Sequence, residues 1–183
     1  MRQKNLLLND QVLSCFENAV SAVVDRYKIG GRIYIAGNGG SAADAQHLAA
    51  EFVSKLARDR APLSAEALTV DSSILTAIGN DYGFENIFSR QLEAKASKND
   101  IFLGITTSGD SNNIIRGLEL CKSKGILSIV FCGRNGGKTK AIADYCIIVP
   151  GEQTSTIQEL HIVLLHSLCE SVENAMFEKS QKV

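Results

Sequence analysis

Apolar positions are distributed along this chain in two different patterns. Short apolar runs, each ending in glycine, serine, aspartate or proline, have the length and the boundaries of buried strands. These runs are residues 32–36, 66–70, 101–106, 127–132 and 145–149. Between them lie segments with apolar residues at three- and four-residue spacing, which is typical of amphipathic helices. The predicted helices are residues 42–56, 72–78, 84–96, 112–124 and, weakly, 138–143.

Strands that are apolar on both faces and alternate with helices belong in a parallel sheet that is covered on two sides. We therefore predict an α/β fold: a five-stranded parallel sheet in a doubly wound, three-layer αβα sandwich. The pattern contains no linker or repeat, so we expect a single domain over residues 1–183.

Two further helices flank this alternating pattern. Apolar residues from Leu13 to Tyr27 predict a first helix that stops at Gly30 and Gly31. Residues 154–179 are apolar around nearly the whole helical circumference, which a helix on the surface of a monomer could not keep from water. We therefore expect a homo-oligomer in which this last helix and the N-terminal helix, within residues 1–30, make contacts between subunits.

Composition narrows the classes of partner. The chain has 183 residues with 19 Lys and Arg, 20 Asp and Glu and a formal charge of -1, and it has no basic block. This balance argues against nucleic acid and against an anionic membrane as partners. The five cysteines are odd in number and form no C-x-x-C pair, and the run 6–8 is too short for a signal peptide. We expect a cytoplasmic protein whose cysteines are reduced.

Candidate chemistry lies in the loops that follow the first and third strands, where ligands of parallel sheets bind. The loop at residues 36–41 is rich in glycine and ends in a serine, and the loop at residues 106–111 offers four hydroxyls. Both open helices, so their N–H and hydroxyl donors would suit a phosphate monoester. They could equally be ordinary helix caps. Gly37-x-Gly39-x-x-Ala42, with Asp71 further along, also fits a loosened dinucleotide fingerprint, which is a weaker interpretation.

Carboxylates and imidazoles provide a second set of candidates. His47 and Glu51 are four residues apart on one helix, and the last helix carries Glu159, His161 and His166 together with Gln158. A carboxylate beside an imidazole can move protons next to a carbonyl, and two histidines with a glutamate and a glutamine can ligate zinc. A polar pair on a solvated face and buried core histidines are the structural alternatives.

These residues occur in an order that resembles a known family. The segments are Gly37–His47 (GNGGSAADAQH), Glu51, residues 79–90 (GNDYGFENIFSR), residues 107–111 (TSGDS) and residues 157–161 (IQELH). They resemble the phosphoheptose isomerases, a branch of the sugar isomerase (SIS) domain family, over essentially the whole chain. The resemblance implies isomerisation of sedoheptulose 7-phosphate to D-glycero-D-manno-heptose 7-phosphate, for bacterial lipopolysaccharide or capsule, by a cytoplasmic homotetramer.

The resemblance also implies roles for individual residues. Glu51 and His166 would be the acid/base pair. Zinc would be held by His47, Glu51, Gln158 and His166. The sugar phosphate would be contacted by Asn38, Gly39, Gly40, Ser41, Glu51, Asn80, Asp81, Thr106, Thr107, Ser108, Ser111 and Gln158.

Two positions depart from the family pattern: Thr156 stands where an arginine is common, and Thr106 replaces a usual serine while keeping the hydroxyl. Two non-catalytic alternatives share the fold. One is a relative that binds the bacterial replication initiator, in which we expect the imidazole at the position of His166 to be lost. The other is a module that senses sugar phosphates, which would leave Glu51 and His166 without a role.

Overall fold

A five-stranded parallel sheet forms the centre of the molecule, whose computed structural model describes residues 9–177. The strands are β1 (Ile33–Gly37), β2 (Ala65–Ala67), β3 (Ile101–Thr106), β4 (Leu127–Cys132) and β5 (Tyr145–Ile148). Their order is β2-β1-β3-β4-β5, and every pair is parallel. The strand order reverses between β1 and β3, so the two loops singled out in the sequence emerge side by side.

Within residues 9–177, six α-helices cover the sheet on both faces. They are α1 (Asp10–Lys28), α2 (Gly40–Val53), α3 (Ser72–Tyr82), α4 (Ser89–Lys95), α5 (Asn112–Lys124) and α6 (Thr154–Phe177). One core lies between the sheet and α1, α2 and α6, and a second core lies between the sheet and α4 and α5, with α3 at its margin. The predicted three-layer α/β sandwich is confirmed.

The boundaries of several elements differ from the prediction. Helix α2 ends at Val53 rather than at residue 56, because the Arg60 guanidinium takes the carbonyl oxygens of Glu51 and Phe52 at its end. Strand β2 stops at Ala67, since Asp71 already caps α3 through its bond to the Ile74 N–H. Helix α3 is longer than predicted and reaches Tyr82.

Two predicted helices take another form. Residues 84–96 are divided into a 3₁₀ turn (Phe84–Asn86) and α4, because the buried Ile87 and Phe88 turn into the core between them. Residues 138–143 were predicted as a weak helix, but the region forms a 3₁₀ turn (Gly137–Ala141) that starts after a left-handed glycine, Gly136. The predicted end of the last helix, at residue 179, lies outside the described residues.

The two helices expected at subunit contacts, α1 and α6, both bury residues within their own chain, and α6 does so through Leu160, Leu165 and Leu168. Helix α1 buries Phe16, Val23 and Tyr27 against α6 and the sheet, so one of its faces already belongs to the core of its own chain. Helix α3, which was not expected at a subunit contact, contains no fully buried side chain within the described chain, and its Tyr82 and the nearby Phe84 are 52% and 63% exposed. Among residues 9–177, no helix is both long enough and apolar enough to span a bilayer.

Candidate active site

A cavity of about 320 Å³ opens at the carboxyl edge of the sheet, between the loops that follow β1 and β3. It is lined by Asn38, Gly39, Gly40, Ser41, Ile105, Thr106, Thr107, Ser111, Thr154 and Gln158. Eight of these ten residues were predicted to contact substrate. The backbone at Gly39 has a φ of 54°, a left-handed conformation that brings the chain directly into α2. The cavity therefore faces the positive N-terminal end of that helix.

Hydroxyl groups of the second loop are held in a network of their own. Thr106 Oγ1 lies 2.9 Å from Ser111 Oγ and also accepts the N–H of Gly109 at 3.3 Å. Ser108 Oγ accepts the N–H of Asp110 at 3.1 Å. These bonds fix where the hydroxyls point, which is the arrangement that binding an anion requires.

The loop that follows β4 packs against this hydroxyl-bearing loop and restricts its movement. Gly109 has a φ of 73°, and a Cβ there would collide with the backbone of Gly136. The Thr139 N–H donates to the Gly109 carbonyl oxygen at 3.1 Å, and the Lys138 N–H donates to Asp110 Oδ1 at 3.0 Å. Because two backbones meet so closely, the loop has little freedom to move away from the cavity.

Three of the predicted metal ligands and both predicted acid/base groups converge further along α2. His47 Nε2 lies 2.8 Å from His166 Nε2 and 3.4 Å from Glu51 Oε1. One ligand atom from each of the three residues lies within 4.8 Å of the other two. The side chain of Glu51 is 20% exposed and that of His47 is 49% exposed, so solvent and small molecules can reach the group. We call these three residues the His-Glu-His cluster.

Gln158 belongs to the cavity and lies apart from this cluster in the single chain. A Cβ at Gly40 would lie 2.6 Å from Gln158 Nε2, so the amide rests against the first turn of α2. His166 is eight residues further along α6, which corresponds to about 12 Å of helix. Helices α2 and α6 thus meet at two levels: Gly40 with Gln158 at the cavity, and His47 with His166 below it.

Four other predicted substrate contacts do not line this cavity among the described residues, and one of them, Glu51, belongs to the His-Glu-His cluster. Asn80 and Asp81 lie exposed at the end of α3, where Asn80 Nδ2 donates to Asp81 Oδ1 at 2.7 Å. Ser108 turns its hydroxyl into its own loop. Their predicted roles as substrate contacts stay predictions.

A buried ion pair near Glu51 was missed by the sequence analysis. Arg60 Nε lies 3.0 Å from Glu173 Oε2, and both side chains are 2% exposed. Another guanidinium nitrogen, Nη2, donates to the Glu51 carbonyl oxygen at 2.8 Å. The pair thereby joins the end of α2 to the part of α6 that follows His166. Glu173 is one of three glutamates on α6, and nothing in the sequence distinguishes it from the exposed Glu170.

Two more side chains, one half-buried and one fully buried, have buried polar atoms that find no hydrogen-bond partner among the described residues. They are Asp44, through Oδ2, and His161, through both ring nitrogens. Burial raises the pKa of Asp44, and burial lowers the pKa of His161 to about 4. His161 packs edge-on against Phe131 beneath the sheet, so it is a core histidine, separate from the cluster.

Comparisons with known proteins agree with this geometry. The model of the SIS domain family matches residues 8–133. A phosphoheptose isomerase from Aneurinibacillus thermoaerophilus is 52% identical over 94% of this chain and 87% of its own length. Phosphoheptose isomerase 2 from Campylobacter jejuni is 49% identical over 97% and 88%.

A solved structure is similar over the same extent. Phosphoheptose isomerase GmhA from Neisseria gonorrhoeae superimposes with a TM-score of 0.84 at 40% sequence identity, covering 89% of this chain and 87% of that one. Both the sequence and the fold therefore match over nearly full length. The chain belongs to the SIS domain family and, within it, to the phosphoheptose isomerases.

Proposed function

We propose that this chain converts sedoheptulose 7-phosphate into D-glycero-D-manno-heptose 7-phosphate, which serves the synthesis of lipopolysaccharide or capsule. The observation that carries the proposal is the meeting of Glu51 with His47 and His166 in a chain of this family. An aldose–ketose isomerase needs a base and an acid near one carbonyl, and these three side chains supply them.

The reaction moves one proton between neighbouring carbons. Glu51 removes a proton from C1 of the ketose, which leaves an enediol, and returns a proton to C2. His166 passes a proton between the two oxygens, so that the carbonyl moves from C2 to C1, and it assists ring opening. General acid/base groups in such positions accelerate proton transfer by about 10²–10⁴-fold.

The donor set of the cluster fits a zinc ion. Two imidazole nitrogens and a carboxylate are ligands that zinc accepts, and His47, Glu51 and His166, whose ligand atoms lie within 4.8 Å of one another, would hold it. Gln158, the fourth predicted ligand, would join through another rotamer or from a second copy of the chain. When bound, zinc would polarise the carbonyl oxygen as a Lewis acid.

The cavity between the two loops would hold the phosphate end of the substrate. Its backbone N–H groups at the start of α2 and the hydroxyls of Thr106, Thr107 and Ser111 are the donors that phosphate oxygens accept. Asn38 and Gln158 add amide groups at its wall. The phosphate would anchor the sugar chain, whose carbonyl end then lies toward the His-Glu-His cluster.

We also propose a homotetramer in the cytoplasm. The unburied α3 and the exposed Tyr82, Phe84 and Val163 support contacts between copies, and the number four rests on family resemblance. Contacts between copies would bring Asn80 and Asp81 to a neighbouring site. A cytoplasmic location suits an enzyme whose substrate is a charged sugar phosphate, because a charged group crosses a bilayer poorly.

Direct assay tests the proposal. The purified protein is incubated with sedoheptulose 7-phosphate, with and without a chelator, and the products are followed by NMR. An aldoheptose phosphate in the tube without chelator is the expected result. Unchanged substrate in both tubes would instead favour one of the binding proteins of the same fold.

A further inference from the structure

Two asparagine side chains join the glycine-rich loop to helix α5 by a reciprocal pair of hydrogen bonds. Asn38 Nδ2 donates to Asn113 Oδ1 at 2.9 Å, and Asn113 Nδ2 donates to Asn38 Oδ1 at 2.8 Å. Asn113 is 2% exposed, whereas Asn38 is half-buried and lines the cavity. The buried Asn113 thus contacts Asn38, which is half-buried and lines the cavity.

The orientation of the pair is set by the backbone. The Ile114 N–H donates to Asn113 Oδ1 at 3.0 Å, so a 180° turn of the Asn113 amide would bring two donors together. With Asn113 fixed, the Asn38 amide is fixed as well, because its oxygen must face Asn113 Nδ2. The two side chains therefore form a relay that begins at a backbone N–H and ends at the cavity.

This relay decides which group Asn38 can offer to a ligand. Its Oδ1 accepts from Asn113, and one of the two Nδ2 hydrogens is donated back. The second Nδ2 hydrogen has no acceptor in the hydrogen bonds of the described chain. A free Asn38 amide could offer a ligand either its oxygen or its N–H groups. In this arrangement it can only donate an N–H to the ligand.

We infer that Asn113 is a positioning residue that holds Asn38 as a hydrogen-bond donor to an oxygen of the bound sugar phosphate. The inference rests on the proposed function, since it concerns the same cavity. Asn113 lies outside that cavity and acts only through Asn38. By holding Asn38 as a donor, Asn113 favours ligands that place an acceptor oxygen beside Asn38, as a phosphate or a sugar hydroxyl does.

Binding measurements on three variants test the inference. Asn113→Ala removes the relay, and Asn113→Asp keeps the shape and the acceptor but faces Asn38 Oδ1 with a second acceptor. Asn112→Ala is the control, because Asn112 is an exposed asparagine on the same turn. The dissociation constant for sedoheptulose 7-phosphate is measured by calorimetry at pH 8, and KM and kcat are measured alongside.

Losing one oriented hydrogen bond to a charged or polar ligand weakens binding about tenfold. We expect that increase in dissociation constant and in KM for both Asn113 variants, with kcat changed less than about threefold. The Asn112 variant should bind like the wild type. A merely structural Asn113 would lower thermal stability and leave the dissociation constant unchanged, which would overturn the inference.

Lowering the pH should restore ligand binding in Asn113→Asp, which a purely structural role of Asn113 would not predict. A protonated aspartic acid carries one donor and one acceptor, as asparagine does, so it restores the reciprocal pair. Burial at this position and the facing Asn38 Oδ1 raise the pKa of an aspartic acid there above its ordinary value of about 3.9, so the ratio of dissociation constants between Asn113→Asp and wild type should fall as the pH is lowered from 8 to 5, while the ratio for Asn113→Ala stays near ten. Glu85 is the titratable group that lines the adjoining cavity with Asn38 and Asn113, and the wild-type titration accounts for it.

The outcomes separate the inference from the proposed function. Tight binding by wild type without turnover would contradict the isomerase and leave the Asn113 comparison valid. Failure of Asn113→Asp to recover at a pH where NMR shows its carboxyl to be protonated, or wild-type affinity in Asn113→Ala, would overturn the inference alone. A wild-type protein that neither binds nor converts the sugar phosphate would overturn both.

Discussion

His47 Nε2 and His166 Nε2 lie 2.8 Å apart although 119 residues separate them in the chain. At that distance one ring must donate an N–H to the other, or both must turn their lone pairs toward a shared cation. Glu51, one turn beyond His47 on α2, closes the triangle at 3.4 Å. The same three side chains are therefore positioned for proton transfer and for metal binding.

Zinc binding should depend on the cluster. His47→Ala removes one of three converging ligands, so we expect the zinc retained after dialysis to fall from near stoichiometric to a small fraction, measured by elemental analysis. Glu119→Gln, which changes an exposed carboxylate on α5, is the matched control. Equal zinc in both variants would show that the metal binds elsewhere.

Turnover should depend on the acid/base pair. Glu51→Gln and His166→Ala should each lower kcat by about two orders of magnitude or more, because each removes a group that carries a proton. Circular dichroism and size-exclusion chromatography should match the wild type, as should turnover of the control Glu17→Gln on the exposed face of α1. Near-normal turnover in either cluster variant would rule out its catalytic role.

The buried ion pair should dominate the stability of the α2–α6 contact. Arg60→Ala removes the guanidinium beside the buried Glu173 and leaves that carboxylate only the N–H groups of Leu56 and Arg58, which costs about 3–5 kcal/mol of unfolding free energy. Arg116→Ala breaks the exposed pair with Glu119 and should cost less than about 1 kcal/mol. Chemical denaturation measures both, and similar losses would contradict the special role of burial.

Acid should weaken the same contact. Burial acts to raise the pKa of Glu173, but the N–H groups of Arg58 and Leu56 and the Arg60 guanidinium outweigh it and hold that pKa below the ordinary value. The carboxylate therefore stabilises the fold above its unfolded pKa of about 4.3, and that contribution is lost as the pH falls through the lower folded pKa. Glu173→Gln should show a flatter loss of stability in acid than wild type does.

His161 gives a different pH window. Burial lowers its pKa to about 4, while the unfolded imidazole titrates near 6.5, so only the unfolded state takes up the proton between these values. Wild type should lose up to about 3 kcal/mol relative to His161→Leu as the pH falls from about 6.5 to 4. Urea unfolding at several pH values measures the difference, and parallel curves would show that His161 is accessible to protons.

Local sequence rules determined most of the fold. The apolar runs place all five strands at their observed positions within a few residues, because a strand buried on both faces must be apolar throughout. The glycine-rich and hydroxyl-rich loops are visible as well, because both open helices at the carboxyl edge of the predicted sheet, although the same residue types also serve as helix caps. Residue types along the chain thus predicted both the parallel sheet and the edge where a ligand would bind.

Contacts between distant segments were decided by the tertiary structure alone. The sequence gives no distance between Glu51 and His166, between Arg60 and Glu173, or between Asn38 and Asn113, since each pair is brought together by packing of helices against the sheet. A turn of about 100° per residue places Gln158 and His166 about 80° apart around the axis of α6, but the rise of the helix places them at different levels. The helical period gives the direction of a side chain around the helix axis. Whether two side chains share a binding site also depends on how far apart they lie along that axis.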